Sequence, residues 1–309
     1  MHKELMTASR MNTLLSCPRK HYWRYEVGMT RVTDAAALRF GTAWHAAMEA
    51  RWQGLSLDEA LAAALDTAKD FDEPTVAILS GLLAGYFDHW SEDPVKELHP
   101  EIEFRHSLCG SRSFDVAGKI DGLGVLHDGR LALVEHKTTS ADVSPDSDYW
   151  IRLRSNPQVM QYVLAARALG WDVSVVLYDV TRKPSIRVKQ NETPEAFATR
   201  LAEDCRTRPE FYFARREVPI LEDDIEEFTI QRLELSRLIL NFRAASRKAH
   251  RPERAWPRHL SELHCKQCDF ASFCLQNIVP DPALPPAGFR VGPVHPELTT
   301  VAATPGATS

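Results

Sequence analysis

Two carboxylates and a lysine are the residues of this sequence whose types and spacing best suit chemistry. They lie in GKIDGL (118–123) and LVEHKTT (133–139). Glu135 and Lys137 are two residues apart, so on a strand their side chains share one face. Carboxylates bind hard divalent cations, which polarise a phosphoryl oxygen and activate water, and a lysine beside them stabilises developing charge. Asp121, Glu135 and Lys137 therefore predict metal-assisted hydrolysis of a phosphodiester.

The turn between these stretches, His127-Asp128-Gly129-Arg130, predicts a hairpin, and its length decides whether the carboxylates meet. A two-residue turn would put Asp121 and Glu135 on opposite faces. We predict instead a three-residue loop with Gly129 in the left-handed region, or a bulge near 122–124. The alternative is a surface hairpin with solvated charges. Asp121 lies in a run that looks buried on one side (Val116, Ala117, Ile120, Leu123), and Glu135 follows LALV. An unpaired charge is costly at such positions, and this favours a site.

The elements that position these residues follow from hydrophobic periodicity. VSVVLYDV (173–180) is almost continuously apolar, as expected for a strand at the buried centre of a mixed sheet. The sequence thus predicts an α/β fold with a mixed sheet and a helical N-terminal portion. Helices are predicted over 9–27 (interrupted near Pro18), 38–52, 57–70, 74–90, 157–169, 193–206 and 221–249, and strands over 100–108, 113–126, 131–137, 173–180 and 185–190.

The composition is that of an ordinary globular protein: 309 residues, 44% hydrophobic, 26% charged. No apolar run approaches the roughly 20 residues that span a bilayer, and the N-terminus has no signal-like apolar stretch, so we expect a cytoplasmic protein. The net charge of −5 does not indicate nucleic-acid binding, although a local basic cleft could still bind phosphate. No GxxxxGK[ST] phosphate loop occurs, which excludes an ATP-driven helicase.

Three cysteines cluster near the C-terminal end as Cys265-x2-Cys268-x5-Cys274. A zinc or iron–sulfur site needs a fourth ligand, for which Cys17 is the candidate. The alternatives are Cys109 and Cys205, which have no companion cysteine, or His264 in a Cys3His zinc site. The spacing indicates a structural metal and does not decide between zinc and iron.

The segment 19–31 interleaves basic and aromatic residues, among them Arg19, Lys20 and Tyr22. Such cations could contact phosphates, and the aromatic rings could stack on unpaired bases. The other interpretation is an amphipathic helix whose aromatic side chains pack inward, and both stay open here. Further candidates for phosphate contacts are Arg152, Arg154, Arg215 and Arg216.

Four short motifs occur in a fixed order along the chain: Gly41-x3-His45, GKIDG (118–122), Glu135-x-Lys137-Thr138 and Gln158-x3-Tyr162. Together they resemble the RecB/AddB-like branch of the PD-(D/E)XK nuclease superfamily, to which CRISPR-adaptation nucleases also belong. The resemblance covers roughly residues 9–277. It implies a restriction-endonuclease-like domain over 1–278, followed at 279–309 by a Pro-, Gly-, Ala- and Thr-rich tail that we expect to be disordered.

The resemblance also implies roles for single residues. His45, Asp121, Glu135 and the backbone carbonyl of His136 would hold Mg²⁺ or Mn²⁺, and Lys137 would be the catalytic lysine. Gln158 and Tyr162 would lie beside the site and contact DNA. From the residues alone, a histidine such as His45 is more often packed or exposed to solvent than a metal ligand. Gln158 and Tyr162 could instead lie on the face of a half-buried amphipathic helix, and Gln161 is a competitor for the glutamine role. Histidine suits Mn²⁺ better than Mg²⁺.

For the cysteines, the resemblance implies a [4Fe–4S] cluster held by Cys17, Cys265, Cys268 and Cys274. Cys17 stands in the C-P-R-K-x-Y context typical of that branch. Such a site would tie the N-terminal helix to the C-terminal loop, and metal binding would then contribute to folding. A structural Zn²⁺ is the alternative.

The expected function is divalent-metal-dependent hydrolysis of DNA, by an exonuclease on single strands or DNA ends. It would act in repair or recombination, or in phage or CRISPR DNA processing, with a helicase or other recombination or replication proteins as partners. The alternative is a non-catalytic, metal-stabilised DNA-binding or scaffold subunit of a helicase–nuclease complex. The presence of Asp121, Glu135 and Lys137 favours the enzyme.

Overall fold

A computed structural model of the protein describes residues 3–33, 35–153, 156–296 and 298, with the backbone alone at 97, 98 and 152. The strands are β1 (Glu4–Met6), β2 (Met29–Arg31), β3 (Lys96–Ser107), β4 (Phe114–Val125), β5 (Leu131–Thr139), β6 (Val175–Arg182), β7 (Phe213–Pro219) and β8 (Phe289–Val291). The α-helices are α1 (Ala8–Ser16), α2 (Pro18–His21), α3 (Ala36–Trp52), α4 (Leu57–Thr67), α5 (Glu73–His89), α6 (Asp148–Leu153), α7 (Pro157–Ala168), α8 (Pro194–Thr207), α9 (Pro209–Tyr212), α10 (Glu222–Ser246), α11 (Glu262–Lys266) and α12 (Ala271–Leu275).

The described residues form two compact units. Unit one is drawn from 1–34, 103–118 and 222–309, and unit two from 35–102 and 119–221. Unit one takes residues from both sides of position 278, where the sequence predicted the domain to end. In the part of the chain that is described, no helix is long and apolar enough to cross a membrane.

Unit two contains a mixed sheet. From β4 onward the strand order is β4-β5-β6-β7, with β5 and β6 parallel and the other two pairs antiparallel. Parallel neighbours need a crossover connection, and α7 supplies it between β5 and β6. Helices α3, α4, α5 and α8 share a second core that includes Trp44, Leu82 and Leu201. The predicted α/β class with a mixed sheet is confirmed.

The β4–β5 hairpin has the loop that the sequence predicted. Leu126 N donates to Arg130 O at 2.9 Å, Gly129 N donates to Leu126 O at 2.9 Å, and Gly129 has φ +86°. Three residues thus lie between the closing pair, and the following pairs run up to Gly122 opposite Val134. One further step in this register puts Asp121 opposite Glu135, on the same face of the sheet.

Replacing Gly129 with alanine is expected to destabilise the protein by about 1 kcal/mol, because an L-residue is strained at positive φ. An added Cβ would meet no atom within 4 Å, so the loss would come from the backbone alone. Gly41 of α3 is the matched control, since a Cβ there also enters open space. Gly41→Ala should stabilise the helix by about 0.5–1 kcal/mol. Urea unfolding measures both, and a loss at both positions would contradict this account of the loop.

A second glycine sets how closely α3 approaches the hairpin. A Cβ on Gly122 would lie 2.7 Å from the indole ring of Trp52, which is buried. The last residue of α3 therefore packs directly over the backbone of β4. His45 lies two helical turns earlier on α3, and this packing brings it to Asp121.

Unit one is built from short strands and the long helix α10. β1 pairs in parallel with the start of β4, and β2 pairs antiparallel with β8. Its aromatic core consists of Trp23, Phe270, Phe273 and Phe289, together with Met29. Trp23 lies in a π-helical turn, Tyr22–Glu26, that follows the predicted interruption near Pro18.

Two predictions about secondary structure are wrong. Residues 185–190 form no strand, and the partner of β6 is instead β7, which the sequence analysis missed. The side chains of 187–190 are exposed, whereas β7 carries the buried Arg215 in place of an apolar residue, so neither segment shows its role by hydrophobic alternation. Disorder from 279 is also wrong for β8, because Phe289 packs against Phe270 and Phe273 with ring centroids 5.9 and 5.4 Å away.

Candidate active site

Asp121 and Glu135 lie on neighbouring strands of unit two, where the hairpin register brings their carboxylates together. Asp121 Oδ2 accepts a hydrogen bond from the His136 backbone N at 2.9 Å. Glu135 is completely buried, and its Oε2 has no hydrogen-bond partner among the described residues. A buried carboxylate oxygen without a partner is costly, so this oxygen suits a ligand that brings positive charge.

The charges of the two carboxylates are coupled. Burial raises the pKa of Glu135, and the negative charge of Asp121 raises it further, although Lys137 opposes the rise. Burial also acts to raise the pKa of Asp121, but His45 and Lys137 outweigh it and lower that pKa to about 2. Asp121 is therefore ionised at neutral pH, and a cation bound beside it would favour the ionised form of Glu135 as well.

Lys137 lies at this site beside Glu135, to which its Nζ donates. Burial lowers the pKa of Lys137, but Glu135 and Asp121 outweigh burial and raise it, so the ammonium stays charged. Its Nζ also lies 3.3 Å from Gln158 Oε1, and Gln158 Nε2 donates to the Tyr162 hydroxyl at 3.0 Å. Helix α7 thus places both predicted residues of its Q-x-x-x-Y motif in one chain of hydrogen bonds with the lysine.

His45 lies beside a carboxylate of the site, whereas Gln161 is buried in helix α7. His45 Nδ1 lies 3.3 Å from Asp121 Oδ1. Burial lowers the pKa of His45, but the charge of Asp121 and a hydrogen bond to it produce a net rise. The imidazole is thus next to a predicted ligand. Gln161 is completely buried, whereas Gln158 is half-buried and contacts Lys137, so Gln158 is better placed for the glutamine role.

Behind the site lies a buried polar network that the sequence analysis missed. His136 is 3% exposed, and its Nδ1 is 3.4 Å from Asp179 Oδ2. Asp179 also accepts hydrogen bonds from the Tyr86 hydroxyl and from Arg215, the latter at 3.1 Å, and Arg215 Nη2 donates to Asp93 Oδ2 at 2.9 Å. Burial opposes ionisation of Asp179, yet Arg215 holds its pKa well below the usual range. The network fixes His136, and an aspartate within the apolar run 173–180 was the signal for it.

A second carboxyl pair was also missed. Glu49 follows His45 by one helical turn, and burial together with Glu101 raises the pKa of Glu49 to about 7. Glu101 forms an ion pair with Lys119, which precedes Asp121 by two residues on β4 and so shares its face. The acidic character of this face therefore extends beyond Asp121 and Glu135.

The four predicted cluster cysteines all belong to unit one. The backbone of His259 lies between two of them: its N is 3.4 Å from Cys17 Sγ, and its O is 3.9 Å from Cys265 Sγ. Burial raises the pKa of Cys268 and of Cys274, and the charge of Cys17 raises both pKa values further. Cys17 therefore lies near the C-terminal cysteines, across the backbone of His259 from Cys265.

In the described residues, the side chains of the carboxylate site and of the cysteine site are not arranged as a group of metal ligands. Across residues 3–33, 35–153, 156–296 and 298, no three His, Cys, Asp or Glu side chains are arranged so that they could hold an ion. Asp121 and Glu135 are instead engaged with His45, His136 and Lys137. The divalent-cation, iron–sulfur and zinc sites consequently stay predictions.

The basic and aromatic residues of 19–25 are buried or half-buried, whereas Arg31 is exposed. Arg19 is 8% exposed, and its Nε donates to the Trp256 carbonyl at 3.0 Å. Tyr22 contacts Trp23 and Trp256, with ring centroids 5.0 and 5.9 Å away. Lys20 is half-buried and acts on the pKa of Cys268. This favours the packing interpretation over base stacking for Tyr22.

The remaining arginine candidates are distributed differently. Arg215 forms ion pairs with Asp93 and Asp179, and its side chain is buried. Its guanidinium is therefore not available to bind a phosphate. Arg216 is exposed, and its Nη1 donates to the Pro145 carbonyl at 2.9 Å. The side chain of residue 152 and all of residue 154 lie outside the described part of the chain.

Comparisons with known proteins identify a family for this chain. The family model described as the PD-(D/E)XK nuclease superfamily matches residues 5–275, a range that includes the carboxylate hairpin and all four cluster cysteines. No curated protein matches the chain. Similar solved structures include that of SSO0001 (13% identity, TM-score 0.36, 90% of this chain and 89% of that chain). Another is a protein of Eubacterium rectale named as a candidate exonuclease (11% identity, TM-score 0.44, 90% of each chain).

Proposed function

This chain belongs to the PD-(D/E)XK nuclease superfamily, and we propose that it is a divalent-metal-dependent deoxyribonuclease that degrades single-stranded DNA or DNA ends. The observation that carries the proposal is the hairpin register, which sets Asp121 opposite Glu135 with Lys137 on the same face. The buried, unpartnered Oε2 of Glu135 supports it, because a bound cation would satisfy such an oxygen.

Each residue of the site has a role in this proposal. Asp121, Glu135 and the backbone carbonyl of His136 would hold Mg²⁺ or Mn²⁺, and His45 as a further ligand would favour Mn²⁺. When bound, the cation supplies Lewis-acid polarisation and a water of lowered pKa. Lys137, kept protonated by its carboxylate neighbours, would stabilise charge on the phosphate as the bond breaks.

Replacing Lys137 with alanine is expected to slow cleavage by about 10²–10³-fold, the usual effect of removing one group that stabilises the transition state. The measurement is the degradation of end-labelled single-stranded DNA in Mn²⁺ or Mg²⁺, with chelator as the blank. Lys189→Ala, at an exposed lysine of the same unit, should leave the rate unchanged. Closed circular single strands should resist an exonuclease.

Two outcomes of this assay would contradict the proposal. If wild type and Lys137→Ala leave the linear substrate equally intact, the enzyme is excluded and the non-catalytic DNA-binding subunit takes its place. If the circle is cut as fast as the linear strand, the exonuclease part is wrong.

A second part of the proposal is a [4Fe–4S] cluster held by Cys17, Cys265, Cys268 and Cys274, which would assign the chain to the RecB/AddB-like branch. The contacts of the His259 backbone with Cys17 and Cys265 support it, as does the charge of Cys17, which raises the pKa values of Cys268 and Cys274 beyond the effect of burial. A helicase partner would supply the single strands that such an enzyme consumes. A structural Zn²⁺ is the alternative occupant of the cysteine site.

Anaerobic purification is expected to give a brown protein with bound iron, and Cys268→Ser should lose both the colour and part of the stability, because binding of a structural metal contributes to folding. Cys109→Ser, at an exposed cysteine of the same unit, is the matched control and should keep the iron. Iron and zinc content and the melting temperature are the measurements. A colourless, zinc-loaded wild type would rule out the cluster.

A further inference from the structure

Unit one contains a recess lined by an unusual number of cations. Its volume is about 340 Å³, and four arginines line it, among them Arg251, Arg254 and Arg258. The fourth is Arg19, and Cys274 and Asn277 belong to the same wall. The recess belongs wholly to unit one and does not use the carboxylate hairpin of unit two.

Negative charge in this recess is scarce. Glu253 is the carboxylate that lines it, among the described residues, and Glu253 Oε1 is 2.7 Å from Arg251 Nε. Glu253 is itself 3% exposed. In the described part of the chain, no Asp or Glu forms an ion pair with Arg254 or Arg258. The recess therefore carries an excess of positive charge.

Two of these guanidinium groups are held by backbone carbonyls, and the Cys274 thiol offsets only part of their charge. Arg19 Nε donates to the Trp256 carbonyl at 3.0 Å, and Arg258 Nη1 is 3.3 Å from the Cys274 carbonyl. Arg258 Nη1 is also 3.4 Å from Asn277 Oδ1, but a guanidinium has five N–H donors, so these contacts leave several of them available. Held in this way, an arginine loses little freedom when it meets a planar, multidentate anion.

We infer that this recess binds a phosphate group of a nucleic-acid strand. Several arginines in fixed positions suit phosphate, which accepts paired, charge-assisted hydrogen bonds from guanidinium. Arg254 is exposed and free of ion pairs with described residues, so it is the arginine best able to reach an entering strand. The inference rests on the proposed function for the identity of the ligand, since a DNA substrate is what would bring the phosphate.

The test compares two charge reversals, Arg254→Glu and Arg112→Glu, in the full-length protein. Both sites are exposed arginines of unit one, both changes alter the net charge equally, and Arg112 does not line the recess. Binding of a fluorescent single-stranded oligonucleotide is followed by anisotropy in chelator, at several salt concentrations. Matching circular dichroism spectra and melting temperatures would show that both variants fold.

Arg254→Glu is expected to weaken binding about ten-fold or more, as the loss of a charge-assisted hydrogen bond does, with Arg112→Glu changing it less than about two-fold. The slope of log K against log salt should fall by about 0.7 for each phosphate of the single strand that the protein no longer neutralises. Equal losses of affinity in the two variants would overturn the inference.

Two further arms identify the source of the phosphate. If a 5′-phosphorylated oligonucleotide binds wild type more tightly than its 5′-hydroxyl form, and Arg254→Glu removes the difference, the group is a terminal phosphate. An Arg254 effect that is the same for both forms indicates an internal phosphodiester. If inorganic phosphate binds in an Arg254-dependent way while oligonucleotide binding does not depend on Arg254, the nucleic-acid ligand is wrong.

The binding assay contains chelator, so it measures binding to the recess without metal-dependent cleavage. The inference about the recess and the proposed catalysis can therefore fail separately. A wild type that cleaves DNA, but whose binding is indifferent to Arg254, would contradict the recess alone. A wild type that fails to cleave but binds in an Arg254-dependent way would contradict the nuclease and leave the recess standing.

Discussion

Replacing Glu135 with glutamine is expected to slow DNA cleavage by about 10³-fold or more. Glutamine keeps the shape of the side chain but removes the charge that would hold a divalent cation. A loss of about 4 kcal/mol of transition-state stabilisation corresponds to that factor. Single-turnover cleavage in Mn²⁺ measures it. Glu217→Gln, at an exposed glutamate of unit two, should keep the wild-type rate, and a Glu135→Gln rate within ten-fold of wild type would contradict the assigned role.

The same change is expected to leave the metal-free protein at least as stable as wild type. Burial and Asp121 raise the pKa of Glu135 above its ordinary value of 4.5, even with Lys137 opposing the rise. A raised carboxyl pKa gives stability that is present below pH 4.5 and lost as the pH rises through the folded value. Glutamine cannot ionise, so its advantage should grow with pH. Urea unfolding at pH 5 and pH 8 measures this, and a variant that loses stability relative to wild type as the pH rises would contradict it.

Replacing Arg215 with methionine is expected to lower the free energy of unfolding by about 3–5 kcal/mol, because it leaves buried carboxylates without their cation. The side chain of Arg215 is 8% exposed, and those of its partners Asp93 and Asp179 are 11% and 1% exposed. The pKa of Asp179 is held down chiefly by Arg215, against the effect of burial. Urea unfolding measures the loss.

The neighbouring residue provides the control for this prediction. Arg216 lies on the same strand but is exposed, and its guanidinium lies 5.4 Å from the Trp150 ring. Arg216→Met should cost less than about 1 kcal/mol. Adding Asp179→Asn to Arg215→Met should restore part of the stability, since it removes one of the stranded charges. Equal losses at 215 and 216 would show that the network does not stabilise the fold.

The central hairpin could be predicted from the sequence because its determinants are local. Gly129 sets the loop, the loop sets the register, and the register brings Asp121 opposite Glu135. The two-residue spacing from Glu135 to Lys137 then follows from strand geometry. One glycine in the predicted turn therefore determines whether the two carboxylates lie on the same face of the sheet.

The rest depended on contacts between distant residues, which local patterns cannot predict. The Arg19 guanidinium donates to the carbonyl of Trp256, which lies 237 residues away in sequence. The residues next to Arg19 in the sequence therefore could not show whether it packs inward or contacts DNA. β7 has a buried arginine where a strand pattern calls for an apolar side chain, and only the partners Asp93 and Asp179 explain it. Phe289 likewise orders a Pro-rich segment through Phe270 and Phe273, on a different stretch of chain.

The cysteine site shows a similar limit. Spacing grouped Cys265, Cys268 and Cys274, and the structure adds that Cys17 lies across the backbone of His259 from Cys265. Thiolates bind both zinc and iron–sulfur clusters, so neither the spacing nor the positions of the thiols identify the metal.

The most direct test of the account is whether Glu135 and Asp121 bind a divalent cation. Mn²⁺ can be titrated into wild type and Glu135→Gln while the electron paramagnetic resonance signal of the free ion is followed. We expect wild type to remove free Mn²⁺ from solution and Glu135→Gln, folded and equally stable, to remove much less. Equal binding by the two proteins would contradict it.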